Sequence, residues 1–436
     1  MRRNLSMDEA LADARAVYTK RRPKTREAHE AAQRHLPGGN TRTVLYHGPF
    51  PVRAARGEGA FLHDVDDNRY LNLLGEYTAG VFGHSHPAIR KAIDEALEVG
   101  LNLGAHNLAE FRLADLVAER FRAVEQVRFT NSGTEANLMA ISTARHLTGR
   151  ERVMVFHGGY HGGLLYFGGG GIPINAPFPF VLGHFNDIDR TRTLIREHAD
   201  SLACITVEPM LGSSGCIPGD PAFLAMLREE ATACDALLIF DEVMTSRFGR
   251  GGAHGEYGIT PDLIALGKWI GGGMSFGAFG GRADLMGIYD PAAPNAMPHA
   301  GTFNNNILSM HAGIAAMTEA FTPDIAAQLH ATGDTIRARI NGVFEKHGVA
   351  LHASGTGSLM NLHGLAGPIR TIDDVADSDD GAKELLFLDL LERGYYVARR
   401  GFIALSSILT DEQLDSFLDA LDDVVAQRKP LLKERS

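Results

Sequence analysis

Residues 236–246, ALLIFDEVMTS, and residues 262–273, DLIALGKWIGGG, decide the fold of this 436-residue chain. The apolar run that opens the first segment has the length and composition of a buried strand, and it ends in an acidic pair that begins with Asp241. The apolar run in the second segment is followed by Lys268 and then by three glycines. We therefore predict a buried strand that ends in an acid and a later segment that ends in a lysine beside glycines.

An acid and a lysine in these positions match the needs of pyridoxal phosphate. The aldehyde of this cofactor bonds to a lysine amine, and its pyridine nitrogen needs an acidic partner to stay protonated. Lys268 would hold the cofactor as a Schiff base and shuttle a proton, and Asp241 would pair with the pyridinium. Taken alone, the two residues also fit a surface lysine after a strand and an acidic helix cap, so other segments must decide.

Strand-like apolar runs alternate with amphipathic helical patterns from Phe111 onward. This alternation predicts an α/β fold with a mainly parallel sheet and helices on both faces. Ligands bind such sheets beyond the carboxyl ends of the strands. The residues that follow the predicted strands are therefore site candidates: Asn131–Thr134, His157–His161, Glu208 and Pro209, Asp241 and Glu242, and Lys268.

The two ends of the chain differ in pattern from its middle. The N-terminal part predicts one amphipathic helix over residues 8–35 and a hairpin that turns at Asp66, Asp67 and Asn68. After residue 325, long amphipathic helices alternate with short strands. We predict three regions: an N-terminal segment of residues 1–60 that packs with the small domain, a large domain of residues 61–325, and a small α+β domain of residues 326–436.

Composition argues against several classes of protein. The formal charge of −11 disfavours nucleic-acid binding, which needs a basic face. No apolar run is long enough for a membrane helix, and the N-terminus lacks an apolar secretory core, so we expect a cytoplasmic protein. The three cysteines show no CxxC spacing, which fits a reducing compartment. Two glycines separate His157 from His161, so we expect no metal site there.

Seven motifs, in order along the chain, resemble the class III aminotransferases of pyridoxal phosphate fold type I. The motifs are NSGTEANLMAISTAR (131–145), VFHGGYHG (155–162), VEPM (207–210), FDEVMTS (240–246), TPDLIALGK (260–268), GGGMSFGAFGG (271–281) and AGTFNNN (300–306). The resemblance covers roughly residues 57–316. It implies a large domain with a mainly parallel, seven-stranded sheet sandwiched by helices, plus a smaller α+β domain.

The same resemblance implies roles around the cofactor ring. Lys268 is the Schiff-base lysine, and Asp241 pairs with the pyridine nitrogen. Val243 and Tyr160 cover the two faces of the ring. Glu208 belongs to the polar network around the site, although an acid at a strand end can equally cap a loop.

The resemblance also implies how the phosphate is held. Ser132, Gly133 and Thr134 bind it, which agrees with the free N–H groups and positive dipole end that a helix start offers to an anion. Thr302 resembles a threonine that reaches the phosphate of the neighbouring subunit. A site completed in this way implies a homodimer with shared active sites.

Substrate recognition depends on arginines, because a guanidinium binds a carboxylate through two parallel hydrogen bonds. Arg42 lies in a stretch that resembles the entry loop of the aromatic β-amino acid (β-phenylalanine) aminotransferases. Arg400 resembles an arginine of the C-terminal domain, with its neighbour Arg399 as the alternative. Tyr77 and Phe303 are candidate aromatic walls. Surface charge for the arginines and core packing for the aromatic residues remain the alternatives.

The motifs are also similar to those of glutamate-1-semialdehyde 2,1-aminomutase. The stretch after Thr302 lacks the proline usual in that enzyme, which favours an aminotransferase. We therefore expect transfer of the amino group of an aromatic β-amino acid to a keto acid such as 2-oxoglutarate or pyruvate. The alternatives are the aminomutase and, from a different class, a non-catalytic regulatory protein that binds the cofactor. The presence of Lys268 argues against the second alternative.

Overall fold

The structure is a computed structural model, and it describes residues 6–435. Contacts between residues divide the chain into two units. The first, here called the terminal unit, contains the residues up to Ser85, Ala331–Ile369 and the chain from Asp374 onward. The second, here called the central unit, contains His86–His330 and Arg370–Asp373.

The helices and strands of residues 6–435 are numbered in chain order. The α-helices are α1 (Met7–Arg21), α2 (Pro23–Ala32), α3 (Pro87–Val99), α4 (Leu108–Arg120), α5 (Gly133–Thr148), α6 (Ile188–Glu197), α7 (Pro221–Ala233), α8 (Ala253–Tyr257), α9 (Ala283–Met286), α10 (Ile307–Ala315), α11 (Pro323–His347), α12 (Asp380–Glu392) and α13 (Asp411–Arg428). The strands are β1 (Ala54–Glu58), β2 (Phe61–Asp64), β3 (Arg69–Asn72), β4 (Gln126–Thr130), β5 (Arg152–Phe156), β6 (Phe180–Gly183), β7 (Leu202–Val207), β8 (Met210–Leu211), β9 (Ile217–Pro218), β10 (Leu237–Asp241), β11 (Leu263–Gly267), β12 (Gly277–Gly281), β13 (His352–Thr356), β14 (Leu359–His363), β15 (Tyr395–Tyr396) and β16 (Phe402–Ala404).

The central unit contains a seven-stranded sheet in the order β4-β12-β11-β10-β7-β5-β6. All of its strands run in the same direction except β12, which is antiparallel to both of its neighbours. The side chains of β7 and β11 are buried at every position, as expected of parallel strands covered on both faces. The predicted α/β fold with a mainly parallel sheet is thus confirmed.

The terminal unit contains two smaller sheets, β1-β2-β3-β15 and β13-β14-β16. The predicted hairpin is confirmed, because β2 and β3 pair antiparallel around the turn at Asp66–Asn68. This hairpin lies in the terminal unit because β3 also pairs with β15, whereas the sequence boundary at residue 61 placed it in the large domain. The domain limits drawn from the sequence stay a prediction.

Two local expectations need correction. The single helix predicted over residues 8–35 is two helices, because Pro23 occupies the first turn of α2 and Arg22 before it leaves the helical conformation. The apolar patterns also omitted β12, whose sequence GAFGG is poor in strand-forming residues. A side chain at Gly277 would overlap the carbonyl of Ser132, so close backbone packing explains the glycine there.

Within residues 6–435, no helix combines the length and the apolar character needed to cross a bilayer.

Candidate active site

Asp241 and Lys268 lie at the carboxyl edge of the central sheet, on neighbouring strands. Asp241 is the last residue of β10, and Lys268 directly follows β11. The two strands are parallel, with Asp241 opposite Ala265. Lys268 has a φ of 53°, a left-handed backbone conformation that is uncommon for a residue other than glycine. Strained backbone of this kind clusters at functional sites, where the surrounding structure holds it in place.

The carboxylate of Asp241 is buried and is hydrogen-bonded to three groups. Its Oδ2 lies 2.8 Å from Nδ1 of His161 and accepts from the side-chain amide of Asn137 at 2.9 Å. Its Oδ1 accepts from the backbone N–H of Val243 at 3.0 Å. These donors offset part of the cost of burying a carboxylate, and they fix its orientation at the strand end.

His161 and Asn137 were not identified from the sequence as partners of Asp241. Burial alone would lower the pKa of His161, but its hydrogen bond to Asp241 and the charges of Asp241 and Glu208 raise that pKa above the ordinary value. Its Nε2 is buried and has no hydrogen-bond partner within residues 6–435. The sequence did contain a signal for Asn137. Asparagine is a poor helix former, and here it stands at the fifth position of α5, just after a strand end.

Glu208 connects two loops at the same edge of the sheet. Its carboxylate accepts from the N–H of Tyr160 at 2.8 Å and from the N–H of Gly212 at 3.1 Å. Burial raises the pKa of Glu208 to about 7, against the lowering effect of the His161 charge. The ring of Tyr160 is 42% exposed and meets the edge of the Tyr166 ring at 5.8 Å. Glu208 therefore fixes the backbone that presents Tyr160.

The turn that begins α5 brings together the three predicted phosphate residues. Ser132 is the N-cap, and its hydroxyl accepts from the N–H of Glu135 at 3.2 Å. Thr134 Oγ1 accepts from the N–H of Gly163 at 3.2 Å. A Cβ on Gly133 would lie 2.8 Å from the side chain of Val243, so this position requires glycine. The start of a helix is a natural anion site.

Thr302 and Phe303 are exposed on a loop of the central unit. The loop is tied to the phosphate turn, because the side-chain amide of Asn131 donates to Asn304 at 2.9 Å. It is also tied to the start of α4, because the side-chain amide of Asn107 donates to the carbonyl of Asn305 at 3.0 Å. Large apolar side chains are exposed around that helix start and the segment before it: Leu97, Val99, Leu101, Leu103, Leu108 and Phe111.

The predicted substrate residues Arg42, Tyr77 and Arg400 lie together in the terminal unit. The hydroxyl of Tyr77 donates to the carbonyl of Val44, two residues after Arg42, at 3.0 Å. The guanidinium of Arg400 lies 5.2 Å from the centre of the Tyr77 ring. Burial raises the pKa of Tyr77, and the charge of Arg400, a hydrogen bond with the Arg400 side chain and the charge of Arg42 act against that rise.

Arg399, the alternative to Arg400, has another partner. Its Nε and Nη2 donate to Glu384 at 3.1 and 2.6 Å. This carboxylate is also bound by Arg15 at 2.6 Å. The structure therefore favours Arg400 as the arginine associated with Tyr77.

The donor set of the central unit fits pyridoxal phosphate. A buried, oriented carboxylate at the end of β10 suits a protonated pyridine nitrogen, and a lysine at the end of the neighbouring strand suits the aldehyde. The glycine-bearing start of α5 suits the phosphate dianion. No feature of these residues conflicts with the cofactor.

Comparisons with known proteins identify the family of the chain. The family model of the class III aminotransferases matches residues 45–167 and 178–425. The chain is 50% identical to a β-phenylalanine transaminase from Variovorax paradoxus, over 98% of each chain. It is 36% identical to a glutamate-1-semialdehyde 2,1-aminomutase from Desulforudis audaxviator, over 90% of this chain and 95% of that protein.

A solved structure gives the same result for the fold. The crystal structure of a β-phenylalanine aminotransferase from Variovorax paradoxus superposes with a TM-score of 0.97 and 49% identity, covering 99% of this chain and 100% of the other. The chain therefore belongs to the class III aminotransferases, pyridoxal phosphate-dependent enzymes of fold type I that move an amino group from an amino donor to a keto acid.

Proposed function

We propose that this aminotransferase takes the amino group of an aromatic β-amino acid, of the β-phenylalanine type, and passes it to a keto acid such as 2-oxoglutarate or pyruvate. The observation that carries the proposal is the group formed by Arg42, Tyr77 and Arg400 in the terminal unit. The Arg400 guanidinium beside the Tyr77 ring, with the Arg42 charge acting on the same side chain, suits substrates that combine a carboxylate with an aryl group. The similarity to a β-phenylalanine transaminase along the whole chain supports the same choice.

Pyridoxal phosphate, when bound, supplies an aldehyde that bonds to amines and a ring that takes up electrons. Lys268 would hold the cofactor, and its Nζ would take the proton from the substrate carbon that bears the amino group. Asp241 pairs with the pyridine nitrogen, and His161 and Asn137 keep its carboxylate in one orientation. An acid fixed in this way needs no reorganisation when charge develops during the reaction.

The remaining residues predicted at the cofactor would bind its phosphate and enclose its ring. Val243, which donates its N–H to Asp241, would cover one face of the ring, and Tyr160 would cover the other. Glu208 keeps Tyr160 in position through its backbone N–H. Ser132, Gly133 and Thr134 hold the phosphate at the start of α5.

We also propose that the enzyme is a cytoplasmic homodimer with shared active sites. Thr302 is exposed on its own chain, which fits a role at the phosphate of the neighbouring subunit. The exposed apolar side chains around the start of α4, including Leu108 and Phe111, support burial against a second copy. Cys204, Cys216 and Cys234 all lie within residues 6–435 and form no disulfide there, which supports a reducing compartment.

The test of the substrate proposal compares two amines that differ in the carboxylate. The enzyme should convert 3-amino-3-phenylpropanoate with 2-oxoglutarate or pyruvate as acceptor, and it should use 1-phenylethylamine less well. A charge-assisted bidentate pair contributes about 1.5–3 kcal/mol, so Arg42→Ala should lower kcat/KM for the β-amino acid by roughly 10–200-fold. The loss for 1-phenylethylamine should be far smaller.

The matched control is Arg56→Ala, which removes an exposed arginine of the same unit that pairs with Glu58. It should leave both substrates unaffected. Equal losses for the two amines in Arg42→Ala would mean that Arg42 is structural. Isomerisation of glutamate 1-semialdehyde without a keto acid, together with no reaction of the β-amino acid, would instead establish the aminomutase.

A further inference from the structure

The backbone around Tyr77 has a conformation that side chains disfavour. Gly75, Glu76, Tyr77 and Thr78 have φ values of 52°, 50°, 53° and 83°. Four successive residues are thus in the left-handed region, and three of them are not glycine. L-residues enter this region singly and rarely, so the surrounding structure must impose it.

Asn72, at the end of β3, fixes this left-handed turn. Its Oδ1 accepts from the N–H groups of Leu74 and Gly75, each at 3.1 Å. Its side-chain amide donates to Glu76 at 2.6 Å, and the N–H of Gly80 closes the turn onto the carbonyl of Gly75 at 3.0 Å. The turn is therefore built to present Tyr77 in one direction.

The Tyr77 hydroxyl meets the segment that carries Arg42. It donates to the carbonyl of Val44 at 3.0 Å, within the one-turn 3₁₀ helix Thr43–Leu45 that begins directly after Arg42. The N–H of Leu45 closes that turn onto the carbonyl of Arg42 at 2.9 Å. Arg42 and Val44 are exposed, so the segment has little packing of its own to fix it.

The Tyr77 ring meets the second arginine. It stacks on the ring of Phe402 at 5.3 Å with an angle of 24° between the planes. The guanidinium of Arg400 lies 5.2 Å from the centre of the Tyr77 ring and 5.4 Å from that of Phe402. One side chain thus contacts both arginine-bearing segments.

We propose that Tyr77 is a positioning residue for carboxylate recognition, whose hydroxyl fixes the Arg42 segment while its ring supports Arg400. This inference rests on the proposed function, because that function makes the two arginines the carboxylate-binding groups. The strained turn holds the Tyr77 hydroxyl in place, and this hydroxyl in turn determines how the exposed Arg42 segment meets the substrate.

The test is Tyr77→Phe, which keeps the ring and removes the hydroxyl. Loss of the hydroxyl's hydrogen bonds, to the carbonyl of Val44 and with the Arg400 side chain, should raise KM for 3-amino-3-phenylpropanoate by roughly 2–10-fold, with little change in kcat. KM for 1-phenylethylamine should not change. The matched control is Tyr395→Phe, which removes a hydroxyl that donates to the carbonyl of Ser416 at 2.9 Å elsewhere in the same unit, and it should alter neither substrate.

A second readout needs no substrate. Amide hydrogen exchange of the holoenzyme, read on a peptide that covers residues 40–50, should be roughly 2–10-fold faster in Tyr77→Phe, because that hydroxyl restrains the segment. Exchange in Tyr395→Phe should match the wild type. Unchanged exchange in Tyr77→Phe would overturn the proposal whatever the kinetics show.

A double-mutant cycle separates this inference from the function on which it rests. In an Arg42→Ala background, Tyr77→Phe should add little further loss for the β-amino acid. Selective loss in Arg42→Ala with no loss in Tyr77→Phe would overturn the role of Tyr77 and leave the proposed function intact. A wild type that treats both amines alike, with Arg42→Ala harmless, would instead refute the proposed function, and the exchange result would then stand alone.

Discussion

The hydrogen bond between His161 and Asp241 is a buried contact whose removal should destabilise the central unit. The two side chains are 1% and 4% exposed, and their atoms are 2.8 Å apart. Removing one partner of a buried charged pair costs about 3–5 kcal/mol of unfolding free energy. We expect about 3 kcal/mol for His161→Leu, at the lower end of that range, because Asp241 keeps its bonds from Asn137 and Val243.

The single tryptophan of the chain makes this loss measurable in the unit that contains it. Trp269 follows Lys268, is fully buried, and donates to the hydroxyl of Ser246 at 3.0 Å. Its fluorescence should therefore report unfolding of the central unit. At roughly 2–4 °C per kcal/mol for a domain of 150–250 residues, a loss of about 3 kcal/mol lowers Tm by about 6–12 °C. His161→Gln, which retains an amide donor, should lose less.

The stability lost in His161→Leu should depend on pH in one direction. The pKa of His161 is raised in the folded protein: burial would lower it, but the Asp241 hydrogen bond and the charges of Asp241 and Glu208 outweigh burial. A raised pKa contributes stability that is fully present below the unfolded value, about 6.5 for histidine, and is lost as pH rises through the folded pKa. The Tm difference between wild type and His161→Leu should therefore be largest below about pH 6.5 and shrink in alkaline buffer.

The control for this experiment is His347→Leu. His347 pairs with Asp422 at 2.9 Å, but the two side chains are partly exposed and belong to the terminal unit. An exposed pair contributes about 0–1 kcal/mol, so the Trp269 transition should hardly move. A His161→Leu variant that melts like this control, or whose Tm deficit grows as pH rises, would contradict the predicted role of the His161–Asp241 pair.

Two further predictions concern the reaction and the assembly. Lys268→Ala should abolish turnover, since a proton-transfer group alone contributes roughly 10²–10⁴-fold to the rate. The Trp269 fluorescence transition should confirm that this variant is folded. Turnover near the wild-type rate would refute the role of Lys268. Sedimentation at the assay concentration should show a dimer, and Phe111→Asp, which places a charge on the exposed apolar surface near α4, should shift it toward an inactive monomer. A fully active wild-type monomer would contradict shared active sites.

The strand ends of the central sheet could be read from the sequence because burial leaves a strong pattern. The runs before Glu208, Asp241 and Lys268 are apolar except for Thr206, as expected of strands covered on both faces. Parallel strands place their carboxyl ends at one edge of the sheet, so predicting the strands also predicted the candidate residues that follow them. The pattern did not reveal β12, because its glycines serve close backbone packing and carry no apolar signal.

Side-chain pairing across loops could not be read in the same way. His161 follows β5 by five residues, and its meeting with Asp241 depends on loop geometry that periodicity does not encode. The left-handed turn at Glu76, Tyr77 and Thr78 runs against the preference of all three residues, so only tertiary contacts could produce it. Sites where local preference is overridden are where sequence reasoning is expected to fail.

The two substrate arginines of the proposed function are held in different ways, and the difference suits two unlike substrates. A β-amino acid carries its carboxylate one carbon beyond the reacting carbon, whereas an α-keto acid carries one directly beside it. Arg42 is exposed, and its segment is held by the Tyr77 hydroxyl, a bond that contributes about 0.5–1.5 kcal/mol. Arg400 lies against two aromatic rings, each contact contributing about 0.5–2 kcal/mol. We therefore predict that Arg42, even with its segment held by Tyr77, is the easier of the two arginines to displace when the donor is exchanged for the acceptor.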